Sequence, residues 1–145
     1  MGMKILPVCP FSRYLAVLVL AFAAKGAEVS VDELLEQAGV SFAKGMRENA
    51  IELANNAIEA EPKNARAYYV RGRFYAEMRQ VQKAMSDFNR ALLFDPSLAL
   101  AYYHRGAENF ILGHIKESAG DFDRFLDLAP DQAPKLWQQI GRAHV

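Results

Sequence analysis

The residues whose types permit chemistry are few, and their spacing argues mostly against catalysis. His104, His114 and His144 stand ten and thirty residues apart along the chain, and none belongs to an H-E-x-x-H pair able to hold zinc on one helix face. The bland reading makes them surface or helix-end histidines. There is no G-x-S-x-G elbow and no G-x-G-x-x-G or other phosphate-cradling glycine loop, so no catalytic, cofactor-binding or metal-ligating residue is assigned and the chain is not expected to be an enzyme. What does recur is an ion pair: Arg71 is followed sixteen residues later by Asp87, and Arg105 sixteen residues later by Asp121. A guanidinium bonds a carboxylate through two parallel hydrogen bonds, and partial burial makes that geometry count for more than at the surface. The two arginines therefore read as structural, with ligand binding as the alternative.

These residues must be positioned by a small fold. The chain has 145 residues, room for about one domain on the usual ~100–200 residues, which excludes two unrelated catalytic domains. With 52% apolar and 23% charged residues it has the composition of a chain that folds around a core. Lys plus Arg and Asp plus Glu both number 17, so no global field draws it to nucleic acid, which is not expected as a partner.

Charge is unevenly spread. No acidic residue precedes Glu28, and Lys4 and Arg13 come before an 11-residue apolar run, Tyr14 to Ala24. That run is too short for the ~20 residues a bilayer-spanning helix needs, and Ala21-Phe22-Ala23 offers small residues to a signal peptidase. The layout predicts a secretory signal peptide over 1–23 and a linker over 24–30, hence an extracytoplasmic protein, secreted or periplasmic, with no stable membrane insertion after cleavage. An uncleaved signal anchor, which would keep the protein on the membrane, is the alternative. Cleavage removes Lys4, Arg13 and the only cysteine, Cys9, leaving 15 basic and 17 acidic residues and no thiol for a disulfide.

Sliding the chain against itself by 34 residues lays Ala65-Arg-Ala-Tyr-Tyr-Val-Arg-Gly72 over Ala99-Leu-Ala-Tyr-Tyr-His-Arg-Gly106, then Asp87-Phe88 over Asp121-Phe122 and Pro96 over Pro130. Eleven of the 32 pairs between 65–96 and 99–130 are identical. The same step backwards places Ala50, Ala57 and Pro62 beneath Ala84, Ala91 and Pro96, a more diverged copy. Within the middle unit, apolar spacing predicts helices over 65–79 and 81–94, the second ended by Asp95-Pro96. Two short amphipathic helices per unit must pair as a hairpin and stack on the next hairpin to bury their stripes.

This pattern resembles the tetratricopeptide repeat family, whose signature is W-x2-L-G-x2-Y, then A-x3-F, then P. The middle unit matches with Tyr68, Gly72, Tyr75, Ala84, Phe88, Ala91 and Pro96. The third matches with Tyr102, Gly106, Ser118, Phe122 and Pro130, departing at Asn109, where an aromatic is expected, and at Phe125, where a small residue is expected. The first keeps Leu34, Ala38, Ala50, Ala54, Ala57 and Pro62. The resemblance implies an all-α solenoid of antiparallel helix hairpins, with units at 31–64, 65–98 and 99–132. Residues 133–145, with Leu136, Trp137, Ile140 and Gly141, resemble the first helix of a further unit and read as a truncated fourth repeat or a cap.

In that family the first helices line a concave groove. Its usual positions carry over to Arg66, Tyr69, Arg73, Ala76 and Glu77 in the middle unit, and to Leu100, Tyr103, Ala107, Phe110 and Ile111 in the third. Asp32, Leu35, Gly39, Phe42 and Ala43 are the counterparts in the first. Arg66, Tyr69 and Arg73 put two cations around a phenol on one helix face, suited to an acidic or aromatic segment, unless Glu77 neutralises them. The lysines and asparagine of the family's carboxylate clamp are replaced by Leu35, Gly39, Val70, Leu100 and His104, so a receptor for C-terminal acids is disfavoured. The resemblance implies a protein-binding adaptor or scaffold with a peptide or protein partner. The alternatives are a self-associating repeat protein, joined through the C-terminal helix, and a fragment of a longer repeat chain.

Overall fold

Helical spacing of the apolar residues becomes six α-helices: α1 (Val31–Ala43), α2 (Arg47–Ala60), α3 (Ala65–Glu77), α4 (Val81–Phe94), α5 (Ala99–Ile111) and α6 (Ile115–Leu128). The computed structural model describes residues 29–132, among which there is no strand. The expected signal peptide, nearly all of the linker and the C-terminal helix lie outside the described residues.

The helices pair in order, α1 with α2, α3 with α4 and α5 with α6. Each pair is joined by a tight three-residue turn whose middle residue adopts a left-handed backbone: Gly45 (φ 80°), Arg79 (φ 60°) and Gly113 (φ 80°), spaced by 34 residues. In all three turns the left-handed residue and its successor donate backwards. Gly45 N bonds Phe42 O at 2.9 Å and Met46 N bonds Ser41 O at 2.9 Å, with the same two bonds at Arg79 and Gln80 and at Gly113 and His114. These bonds close the helix C-terminus in the Schellman manner. They also stop α3 at Glu77, two residues before the end that apolar spacing suggests, because the backbone at Arg79 has already left helical geometry. Between units, Pro62, Pro96 and Pro130 follow the second helices, and Asn64 caps α3 by accepting from Ala67 N at 3.0 Å.

Close approach within a hairpin depends on missing side-chain volume. A Cβ built on Gly72 would lie 2.9 Å from Phe88 Cε1 and 3.1 Å from Asp87 Cβ, and one on Gly106 3.1 Å from Asp121 Cβ. Ala38, Ala50, Ala54, Ala57, Ala84, Ala91 and Ala101 are completely buried in the packing within and between hairpins. Phe88 is the largest fully buried side chain, and Phe42 stacks on Phe74 at 4.4 Å between centroids, joining the first unit to the second.

Stacking gives the solenoid an inner side. The second helix of each unit packs on the first helix of the next, and α1 also touches α3 as α3 touches α5. No comparable contact joins α2 with α4 or α4 with α6 among the described residues. The first helices are therefore drawn together on one side and form the inner wall.

Candidate functional site

On that wall α3 presents Arg66, Tyr69, Arg73 and Glu77. Arg66 reaches across the repeat boundary to Asp32 of α1, Nη1 to Oδ1 at 2.6 Å, with both side chains exposed. Tyr69 is largely buried: its ring lies 6.4 Å from that of Phe88 and 5.7 Å from that of His104, and the Arg73 guanidinium sits 6.0 Å from its centroid. Burial raises the Tyr69 phenol above its ordinary range, partly opposed by the charge of Arg73. Arg73 places Nη2 3.5 Å from Glu77, while its buried Nε meets no hydrogen-bond acceptor among the described residues. The two cations thus each face a carboxylate, and the Arg73 guanidinium remains part-exposed beside the Tyr69 ring.

The α5 residues divide by depth. Leu100, Tyr103 and Ala107 are half-buried, whereas Phe110 and Ile111 stand 63% and 57% exposed. Tyr103 rests on Phe125 at 5.4 Å and Phe122 at 5.9 Å, and burial raises its phenol as well. Phe125, the departure from a small residue, is buried beneath it. In the first unit Leu35 is buried, Phe42 is half-buried, and Asp32, Gly39 and Ala43 are exposed, while Ala76 of α3 is half-buried.

His104 corrects the surface or helix-end reading. It lies in the middle of α5 with its ring stacked on Phe88 at 6.0 Å and 21°, and it touches Tyr69 and Tyr103. Burial, assisted by the nearby Arg73 charge, lowers its pKa to about 4, so the imidazole is neutral at pH 7. The positions where a carboxylate clamp would carry cations and amides accordingly hold Leu35, Gly39, Val70, Leu100 and a neutral His104.

Opposite the wall the arginines do what their spacing predicts. Arg71 Nε and Nη2 donate to Asp87 Oδ2 and Oδ1 at 2.8 and 2.7 Å, and Arg105 repeats the arrangement on Asp121. Sequence reasoning missed the third partner. Arg71 Nη1 also donates to Asn55 Oδ1 at 2.7 Å and Arg105 Nη1 to Asn89 Oδ1 at 2.9 Å, so each guanidinium ties its own hairpin to the preceding unit. The signal was present, since Asn55 and Asn89 are 34 residues apart and each precedes its arginine by sixteen. Asn109 donates to Asp121 Oδ2 at 3.1 Å, giving the polar departure a bonded partner.

Among the described residues no group of three His, Cys, Asp or Glu is arranged to hold a metal ion, and no helix is long and apolar enough to cross a membrane.

Residues 53–85 match the sequence profile of the tetratricopeptide repeat. Among curated proteins none matches the chain's sequence at a significant level. Among solved structures the chain is similar to the first tetratricopeptide domain of Spaghetti (RPAP3) bound to the HSP90 peptide SRMEEVD, at 28% identity over 79% of this chain and 92% of that one, with a TM-score of 0.68. It is similar to the Arabidopsis OM64 tetratricopeptide domain at 26% identity, covering 80% and 97%, TM-score 0.68. The first such domain of human RPAP3 aligns at 29% identity, covering 78% and 91%, TM-score 0.67.

Proposed function

We propose that this chain, whose residues 53–85 carry the tetratricopeptide signature and whose described helices stack as a solenoid of hairpins, is an adaptor that holds a partner polypeptide against its inner wall. The observation that carries the reading is the combination on that wall of exposed Phe110 and Ile111 with the part-exposed guanidinium of Arg73 beside Tyr69. A bound segment meets the first with its own apolar side chain and the exposed end of the second with a carbonyl or carboxylate oxygen. The similarity to a domain that holds an HSP90 peptide supports peptide binding in general. The segment preferred here differs: with Leu35, Val70 and a neutral His104 at the clamp positions, a C-terminal carboxylate meets no cation there, and an internal apolar segment with an acidic residue near Arg73 fits better.

The test is capture of partners on the folded chain, followed by titration of the captured segment. Phe110→Ser and Arg73→Gln should each weaken binding about tenfold without lowering Tm. Tyr69→Ala is unsuitable as a control because Tyr69 is part of the core. Undiminished binding by both variants would reject the inner wall as the site.

Export through the amino-terminal segment is part of the proposal. It is supported by the charge and apolar layout of residues 1–23 alone, and amino-terminal sequencing of protein recovered outside the cytoplasm checks it. A second reading, self-association through the last hairpin, draws on Leu126 and Leu128, which α6 leaves 42% and 37% exposed. Light scattering separates a monomer from a dimer.

A further inference from the structure

One position of the repeat is filled by an aromatic ring in only one of the three units. In the second it is Tyr75, half-buried beside the Arg71 guanidinium at 5.9 Å and the Lys83 ammonium at 5.2 Å from its centroid. Thirty-four residues earlier the position holds Ser41 and thirty-four later Asn109. Both units without the ring have a solvent-open cavity at that place. One of about 510 Å³ is lined by residues that include Ser41, Gln37, Asn49 and Leu53, and one of about 390 Å³ by Asn109, Arg105, Glu117 and Asp121 together with Met85, Asn89 and Gly120. Counted along the repeat, Arg105, Asn109, Glu117 and Asp121 are the counterparts of Arg71, Tyr75, Lys83 and Asp87. The cavity in the third unit therefore opens at the repeat position that Tyr75 fills in the second.

We propose that this cavity, between α4, α5 and α6, is a receptor site for a phenolic ring, the side chain of a tyrosine on a partner protein. The third unit preserves what receives the ring in the second. Arg105 is held by Asp121 and Asn89 as Arg71 is held by Asp87 and Asn55, so a guanidinium is fixed beside the ring position before any ligand arrives. Met85 contributes a thioether, a favourable neighbour for an aromatic edge. The first unit lacks these features, with Gln37 and Leu53 in place of the arginine and the aspartate, and carries no such proposal. The chemistry differs from the second unit at one point that selects the ligand. Lys83 is replaced by Glu117, an acceptor in place of a cation, and a carboxylate at the rim bonds a phenolic O–H. A plain phenyl ring has no donor to offer it.

The site is distinct from the inner wall. Arg105 and Asn109 each lie two residues beyond Tyr103 and Ala107, about 200° around the α5 axis, so the two faces of one helix carry separate surfaces. Its test is therefore independent of the groove.

The probe is p-cresol, which is the tyrosine side chain itself, titrated into the 15N-labelled full chain with toluene as the comparison. p-Cresol should shift the side-chain NH2 of Asn109 and the Nε–H of Arg105, saturating with a Kd on the order of 1 mM. Toluene should bind about fivefold more weakly, and the exposed substitution Glu117→Gln should bring p-cresol down to the toluene level. Asn109→Tyr, which refills the space from within, should abolish the shifts at Arg105 and raise Tm. Absence of shifts at Asn109 and Arg105, equal binding of toluene and p-cresol, or undiminished p-cresol binding by Glu117→Gln would each overturn the proposal. So would undiminished binding by Asn109→Tyr.

Discussion

Arg71 and Arg105 each hold three helices with a single guanidinium, and the bonds matter because their acceptors are out of water. Asp87 is 3% exposed and Asp121 5%. Removing one member of such a set strands the other charge, whereas replacing both with apolar groups of similar size is close to neutral. Asp87→Ala should therefore cost about 3 kcal/mol in urea unfolding, and Arg71→Leu with Asp87→Leu should recover most of it. A loss of similar size in the double variant would mean that the bond to Asn55, and not the ion pair, dominates. His104 makes a second prediction. Folded, it titrates near 4 against 6.5 when unperturbed, so between these values the unfolded chain binds a proton that the folded chain refuses. Its contribution is complete above pH 6.5 and is lost as pH falls towards 4, by roughly 3 kcal/mol when the loss is complete. His104→Phe keeps a ring against Phe88 and should flatten the decline of Tm between pH 7 and 5, and an unchanged slope would exclude His104 as its source.

The first helix of each hairpin owes its end to a turn that all three hairpins share, but the turns are not equally comfortable. Gly45 and Gly113 adopt a left-handed φ without a Cβ to clash, while Arg79 does so against the carbonyl crowding that makes this region unfavourable for L-residues. Arg79→Gly should therefore stabilise the second hairpin by about 1 kcal/mol, read as a higher urea midpoint with an unchanged m-value. The seam between paired helices makes the opposite prediction. Gly72→Ala forces a Cβ to 2.9 Å from Phe88, which is fully buried and has little room to yield, so it should cost about 1–3 kcal/mol. Gly39→Ala, whose Cβ meets nothing within 4 Å, should be neutral or slightly stabilising by thermal denaturation, since alanine favours helix. Equal effects at the two glycines would place the cost in helix propensity and not in the seam.

At the scale of the molecule, three hairpins are a short stack, and stability depends on the joints between units as much as on the hairpins. The first joint is built from Phe42 on Phe74 with Ala38, Ala50 and Ala54, and from a second cluster of Val31, Leu35, Ala57 and Ala67. Phe74→Ala should cost about 3–5 kcal/mol and act locally, with amide exchange accelerating in α1 and α2 far more than in α5 and α6. Uniform acceleration would mean that the stack opens only as a whole. By itself the sequence determined the helices, their pairing, the 34-residue step and the partnership of each arginine with its aspartate. These follow from apolar periodicity, turn residues and proline breaks that act within one unit, and repetition makes them legible. Only the tertiary structure decided that Tyr69 is core, that His104 is packed among aromatic rings and neutral, that Asn55 and Asn89 complete the arginine sets, and that Asn109 leaves a space at the place of a ring. The physical reason is that burial and charge at a position are set by the neighbouring unit stacked on it, so the same place in the repeat meets different atoms in each hairpin.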